Sequence, residues 1–167
     1  MRHAISLAFL LAAISAPTLS GCAGPYDQAI DDMDRPESER LSDRLDEMVG
    51  SAEHALESLE HAYESHNPMS APASGDESHL ITAHRNSAES AAFEFHRRVL
   101  SVLDLTTPEQ ARRLRPAMDA MDASLQRGID AFRARPQNVD TMRDAVERIR
   151  IDLRRLEDAA EAALNQR

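Results

Sequence analysis

Apolar residues recur at alternating steps of three and four along four separate stretches of this chain. Such steps place side chains on one face of an α-helix, so each stretch predicts an amphipathic helix with one buried stripe. Because no stretch shows the alternation of a half-buried strand, the pattern predicts an all-α protein. The stretches cover residues 36–66, 78–104, 107–134 and 139–165.

The breaks between the stretches carry helix start and stop signals. Thr107, Pro108 and Gln110 predict a capping box with proline at the first helical position. Residues 67–77 and 135–138 contain the prolines and small polar residues of loops. Pro116 lies inside the third stretch, where we expect a kink because proline removes a backbone donor.

Four helices of about 26 residues, each about 40 Å long, favour an up-down antiparallel four-helix bundle over residues 36–167. The alternative is a pair of long helical hairpins completed by dimerisation, which would make the protein a homodimer.

The N-terminus has a different character. A short charged start and an apolar run precede Leu19-Ser20-Gly21-Cys22, so residues 1–21 are predicted to be a signal peptide. This tetrapeptide resembles the bacterial lipobox, which implies acylation of Cys22 and anchoring of the protein to a membrane. Residues 22–35 are rich in acidic residues and predict a flexible tether. Ala23, rather than Asp, favours the periplasmic side of the outer membrane in a Gram-negative host.

The charge distribution limits the partners. From residue 22 to 77 there are fifteen acidic residues and three arginines, and the whole chain carries a net charge of −10. Nucleic acid is therefore a poor partner, whereas cations and a basic protein partner or client suit the acidic first half. A single cysteine rules out an intramolecular disulfide.

No enzyme motif is present in the sequence. The chain lacks H-E-x-x-H, a glycine-rich phosphate loop, and the Glu-x-x-His pattern of helical di-iron proteins. We expect no haem, because C-x-x-C-H is absent and few aromatic residues could line a pocket. The sequence thus predicts a non-enzymatic protein.

All six histidines after the signal peptide fall between residues 54 and 96. If the first two helices are antiparallel, residues whose numbers sum to about 145 lie opposite each other. His61 then faces His84, and His66 faces His79. Imidazole pairs with Glu57 nearby could bind Zn, Ni or Cu(II). The alternative is that these are solvated or half-buried histidines without a ligand.

His96 belongs to a second candidate site. Pairing of the second and third helices around residue 105 would bring it within about one turn of Met118. A histidine with a methionine suits Cu(I), although a methionine on an apolar stripe is more often part of a core.

Residues 103–118, beginning Leu103-Asp104-Leu105-Thr106-Thr107-Pro108-Glu109-Gln110, resemble the L-T-P-E-Q corner of the Spy/CpxP superfamily. The preceding segment, residues 93–100, is similar to the metal-binding branch of that superfamily. The resemblance implies a periplasmic helical protein of envelope stress or heavy-metal resistance, with His96 as a metal ligand.

Together these features predict a lipid-anchored envelope protein that binds divalent metal in envelope stress or metal handling. The alternative is a helical interaction or chaperone-like module without a metal site.

Overall fold

The computed structural model describes residues 35–66, 77–134 and 137–165 of the chain. These residues form four helices: α1 Glu37–His66, α2 Glu77–Leu105, α3 Pro108–Arg133 and α4 Val139–Leu164. The all-α prediction is confirmed, and each helix ends within two residues of its predicted bounds. The predicted signal peptide, Cys22 and all of the predicted tether except Arg35 lie outside the described residues.

The helices pack as an antiparallel bundle. α1 pairs with α2 and α3 pairs with α4, while α1 also contacts α3 and α4, and α2 contacts α3. In each adjacent pair, residue numbers increase along one helix as they decrease along the helix it contacts. Between α1 and α4, for example, Leu41 and Leu164 line one cavity, and Glu60 binds Arg150. The predicted up-down four-helix bundle is therefore confirmed.

The core consists of the predicted apolar stripes. All the predicted stripe residues of α1 are buried, namely Leu41, Leu45, Met48, Ala52, Ala55, Leu59 and Ala62. The same holds for those of α4, namely Met142, Val146, Ile149, Leu153, Leu156, Ala160 and Ala163. On α3 the stripe residues Leu114, Met118, Met121, Leu125, Ile129 and Phe132 are buried, and Ala111 is half-buried. On α2, Ile81, His84 and Val99 are only half-buried. Phe95 and Phe132 are the largest fully buried side chains, and burial of an apolar side chain of this size contributes about 2–3 kcal/mol.

The helix starts follow the sequence signals. The Gln110 amide donates to Thr107 Oγ1 at 3.3 Å, and the Thr107 amide donates to Gln110 Oε1 at 3.0 Å, which completes the predicted capping box. Asn138 Oδ1 caps α4 by accepting from the amides of Asp140 and Thr141. α3 continues as a helix through Pro116, which lies on the exposed side of the helix.

Asp152 is a buried carboxylate between α3 and α4, 1% exposed. Its Oδ2 accepts a 2.6 Å hydrogen bond from Ser124 and a 3.2 Å bond from Arg148 Nε, and its Oδ1 accepts at 2.8 Å from Arg155. Burial pushes the pKa of Asp152 upward, but the Ser124 hydrogen bond and the charges of Arg148 and Arg155 outweigh it, so the pKa lies below its usual value.

We expect Asp152→Ala to lower the free energy of unfolding by about 2–3 kcal/mol at neutral pH, because Ser124 loses its acceptor and the arginines lose their counter-ion. Asp158→Ala, at an exposed position of the same helix, should change it by less than about 0.5 kcal/mol. Since the folded pKa is lowered, the contribution is present above about pH 4 and should shrink as the pH falls further. Urea unfolding of both variants at several pH values checks this. Equal stabilities of the two variants would contradict it.

Two glycines in the helices have opposite surroundings. A Cβ atom on Gly128 would lie 2.7 Å from Ile149 Cδ1 and 3.0 Å from Leu59 Cδ1, so α1, α3 and α4 approach closely there. A Cβ atom on Gly50 would meet nothing within 4 Å.

The two glycines should therefore respond oppositely to substitution. Gly50→Ala should raise the free energy of unfolding by about 0.5–1 kcal/mol, because alanine restricts the unfolded chain and favours the helix. Gly128→Val should lower it by about 1–3 kcal/mol, because the added methyl groups overpack the contact with Ile149 and Leu59. Chemical denaturation measures both, and a stabilising Gly128→Val would show that this close approach does not exist.

Candidate metal centre

The register between α1 and α2 determines which histidines meet. Ser58 Oγ donates to Ser87 Oγ at 3.1 Å, and Arg98 of α2 forms an ion pair with Glu47 of α1. In both contacts the residue numbers sum to 145, which is the register that the sequence predicts. This register places the C-terminal half of α1 against the N-terminal half of α2.

The imidazole rings of His61 and His84 lie next to each other across the contact between α1 and α2. Their ring centroids are 5.4 Å apart and the ring planes are inclined by 49°. His61 is exposed and His84 is half-buried, so solvent reaches the pair from one side. With metal–nitrogen bonds of about 2.1 Å and tetrahedral angles, two imidazoles on one zinc ion have their centroids about 5 Å apart. The observed separation of the ring centroids lies near this value, and it also lies within the range of two rings that pack against each other without a metal.

Glu57 does not join this pair in the structure. Its carboxylate lies 4.0 Å from Nδ1 of His54, and its side chain is exposed. Across residues 35–66, 77–134 and 137–165, no group of three or more His, Cys, Asp or Glu side chains is placed to hold a metal ion. Residues four apart share a helix face, so Glu57 can reach the pair only by rotating its side chain.

Glu60, which lies next to His61 in the chain, is held elsewhere. Its Oε1 accepts a 2.7 Å hydrogen bond from Arg150 Nε, and this bond raises the pKa of Arg150. The contact ties α1 to α4 at the level of the histidine pair. Because the carboxylate of Glu60 is bound to Arg150, it is not available as a metal ligand beside the two imidazole rings.

Polar side chains also contact one another between α1 and α2 next to the pair of His61 and His84. His54 Nε2 lies 3.4 Å from Ser87 Oγ, which is also the acceptor of Ser58. Ser58 is 4% exposed. Sequence reasoning missed Ser58 and Ser87, although their numbers also sum to 145.

The second predicted pair, His66 and His79, lies on either side of the loop. His66 is half-buried in the last turn of α1, and His79 is exposed in the first turn of α2. Among the residues that the structure describes, the one contact between histidine rings is that of His61 with His84. A role for His66 and His79 as ligands stays a prediction.

His96 and Met118 occupy different surroundings. His96 is exposed, with Nδ1 3.6 Å from Oδ1 of Asp122, whereas Met118 is 1% exposed in the core. Glu89 of α2 likewise binds Arg133 of α3. These contacts centre the pairing of α2 and α3 near residue 110, about five residues beyond the predicted centre at residue 105, so the residues that lie opposite each other are shifted by about ten positions.

Comparisons of this chain with protein-family models, with curated proteins and with solved structures find no match. The resemblance to the Spy/CpxP superfamily therefore stays a prediction. No helix within the described parts of the chain has the length and apolar character to cross a membrane.

Proposed function

We propose that this protein is a non-enzymatic lipoprotein of the bacterial envelope that binds a divalent transition metal, Zn, Ni or Cu, between α1 and α2. The observation that carries the proposal is the 5.4 Å separation of the His61 and His84 rings. Imidazole nitrogen is a preferred ligand of all three metals. The role that fits such a site is metal handling or response to envelope stress.

Two protein ligands imply weak and exchangeable binding. Structural zinc sites use four protein ligands and catalytic sites use three, so an ion held by His61 and His84 keeps positions for water or for another molecule. Because His61 is exposed, these remaining coordination positions are accessible to solvent. A site of this kind suits a protein that takes up and releases metal.

The surface of α1 near the histidine pair carries carboxylates. Glu53, Glu57 and Glu64 are exposed and lie within about 12 Å of His61 along the helix axis. Their charges raise the local concentration of divalent ions.

The proposed cellular location of the protein rests on its N-terminal sequence. The lipobox-like residues before Cys22 support acylation there, and Ala23 supports the outer membrane, facing the periplasm, in a Gram-negative host. The resemblance of residues 93–100 to the metal-binding branch of the Spy/CpxP superfamily is a separate argument for metal binding, with His96 as the residue concerned.

Calorimetric titration of a soluble form that begins at Ala23 with Zn, Ni and Cu(II) tests the site. We expect a dissociation constant of about micromolar, and a loss of about tenfold or more, equal to 1.4 kcal/mol, in His61→Ala and in His84→Ala. His54→Ala, which removes an exposed histidine seven residues before His61, is the matched control and should bind as the unmodified protein does. His96→Ala tests the separate ligand that the resemblance implies. Absence of heat with every metal, or unchanged affinity in both variants, would contradict the proposal.

A second candidate is an interaction or chaperone-like module without a metal site. The acidic surface of α1 favours it, because this surface is complementary to a basic protein partner or client. The absence of any metal-dependent heat in the titration above would favour this function over the first.

A further inference from the structure

The outer face of α2 differs from the outer faces of the other three helices. Eight of the ten exposed residues between positions 79 and 104 follow one another at alternating steps of four and three, so they form a continuous strip along the helix. The other two, Leu80 and His96, are exposed beside the strip. One arginine and one aspartate are the only residues of the strip with a permanent charge, whereas the outer faces of α1, α3 and α4 are dominated by Glu, Asp and Arg. The strip consists of His79, Ala83, Asn86, Ser90, Phe93, Arg97, Leu100 and Asp104.

Large apolar side chains project from this strip. Phe93 is 68% exposed and Leu100 is 56% exposed, and they lie seven residues apart on the same side of α2. Aligned apolar residues on an otherwise weakly charged face are typical of a contact surface. Ile151 on α4, 37% exposed, is by contrast surrounded by charged neighbours.

We propose that the strip binds the same strip of a second copy of this chain, with the two α2 helices antiparallel about a two-fold axis. In the register in which opposing residue numbers sum to 183, every large side chain meets a small or complementary one. Phe93 lies opposite Ser90, and Leu100 lies opposite Ala83. Arg97 lies opposite Asn86, and Asp104 lies opposite His79.

Charge and size complementarity favour a second copy as the occupant. A two-fold contact uses the same surface on both copies, and this strip is complementary to itself in one antiparallel register. Arg97 meets an amide, and Asp104 meets an imidazole. Two copies with a net charge of −10 each repel least where their faces carry the fewest charges.

The size of the strip sets the strength of the contact. From His79 to Asp104 α2 rises about 38 Å, and with a helix diameter of about 10 Å the strip removes on the order of 400 Å² from solvent on each copy. A groove of about 410 Å³ between α2 and α3, lined by Phe93, Leu125 and Ile129, adjoins it. Interfaces of about 800 Å² in total lie in the range of transient complexes, so we expect a dissociation constant in the micromolar range or weaker.

Sedimentation velocity of the full chain carrying Cys22→Ala, in mild detergent, tests the interface. We expect a concentration-dependent dimer that is weakened at least tenfold by Phe93→Glu or Leu100→Glu. Ile151→Glu, which places the same charge on an exposed apolar position of α4, is the control and should leave the dimer intact. Thermal unfolding of each variant verifies that the fold survives. A monomer at every concentration, or equal dimerisation of all variants, would overturn the proposal.

Cross-linking of two single-cysteine variants tests the register. Ala83→Cys and Leu100→Cys, each in the Cys22→Ala background that removes the only native thiol, are mixed and treated with a short bismaleimide. Positions 83 and 100 of different copies should lie about 8–10 Å apart, whereas each position lies about 25 Å along the axis from its own mate. Cross-linked dimer should form in the mixture and not in either variant alone. Equal yields in all three samples would overturn the antiparallel register.

Discussion

Apolar stripes on α1 and α2 pack against each other in one register, and a slip by one residue would rotate every side chain of a helix by about 100°. Met48 and Ala55 of α1 and Phe95 of α2 are buried in that register. Hydrophobic burial thus positions the two imidazoles, because nothing at the pair itself is strong enough to align the helices. The Ser58–Ser87 hydrogen bond and the Glu47–Arg98 ion pair have the same register and oppose sliding of α1 along α2.

Three buried polar residues reinforce the bundle at its interior. Ser58, Ser124 and Asp152 are each at most 4% exposed. Ser124 and Asp152 join α3 to α4 through one short hydrogen bond. The positive charges of Arg148 and Arg155 at the surface balance the negative charge of the Asp152 carboxylate. A buried carboxylate is tolerated only with such partners, so this network restricts how α3 and α4 pair.

The sequence predicted the helices and the register of the first hairpin, because both follow from apolar spacing and loop position. It missed Asp152 and Ser58, because a search for apolar residues passes over polar ones. Each nevertheless lies directly before one stripe residue, three residues after another and four before a third, which marks an inward position. The partners of Glu57 and His96 could not be predicted, because exposed side chains choose among neighbours that only the tertiary structure supplies.

The proposed site requires that His61 and His84 bind one metal ion together. X-ray absorption at the zinc edge of the zinc-loaded protein tests this, since it counts imidazole ligands at about 2.0–2.1 Å from the metal. We expect two imidazoles in the unmodified protein, and one in His61→Ala and in His84→Ala when zinc is bound at all. Two imidazoles that persist in both variants would show that zinc is bound elsewhere.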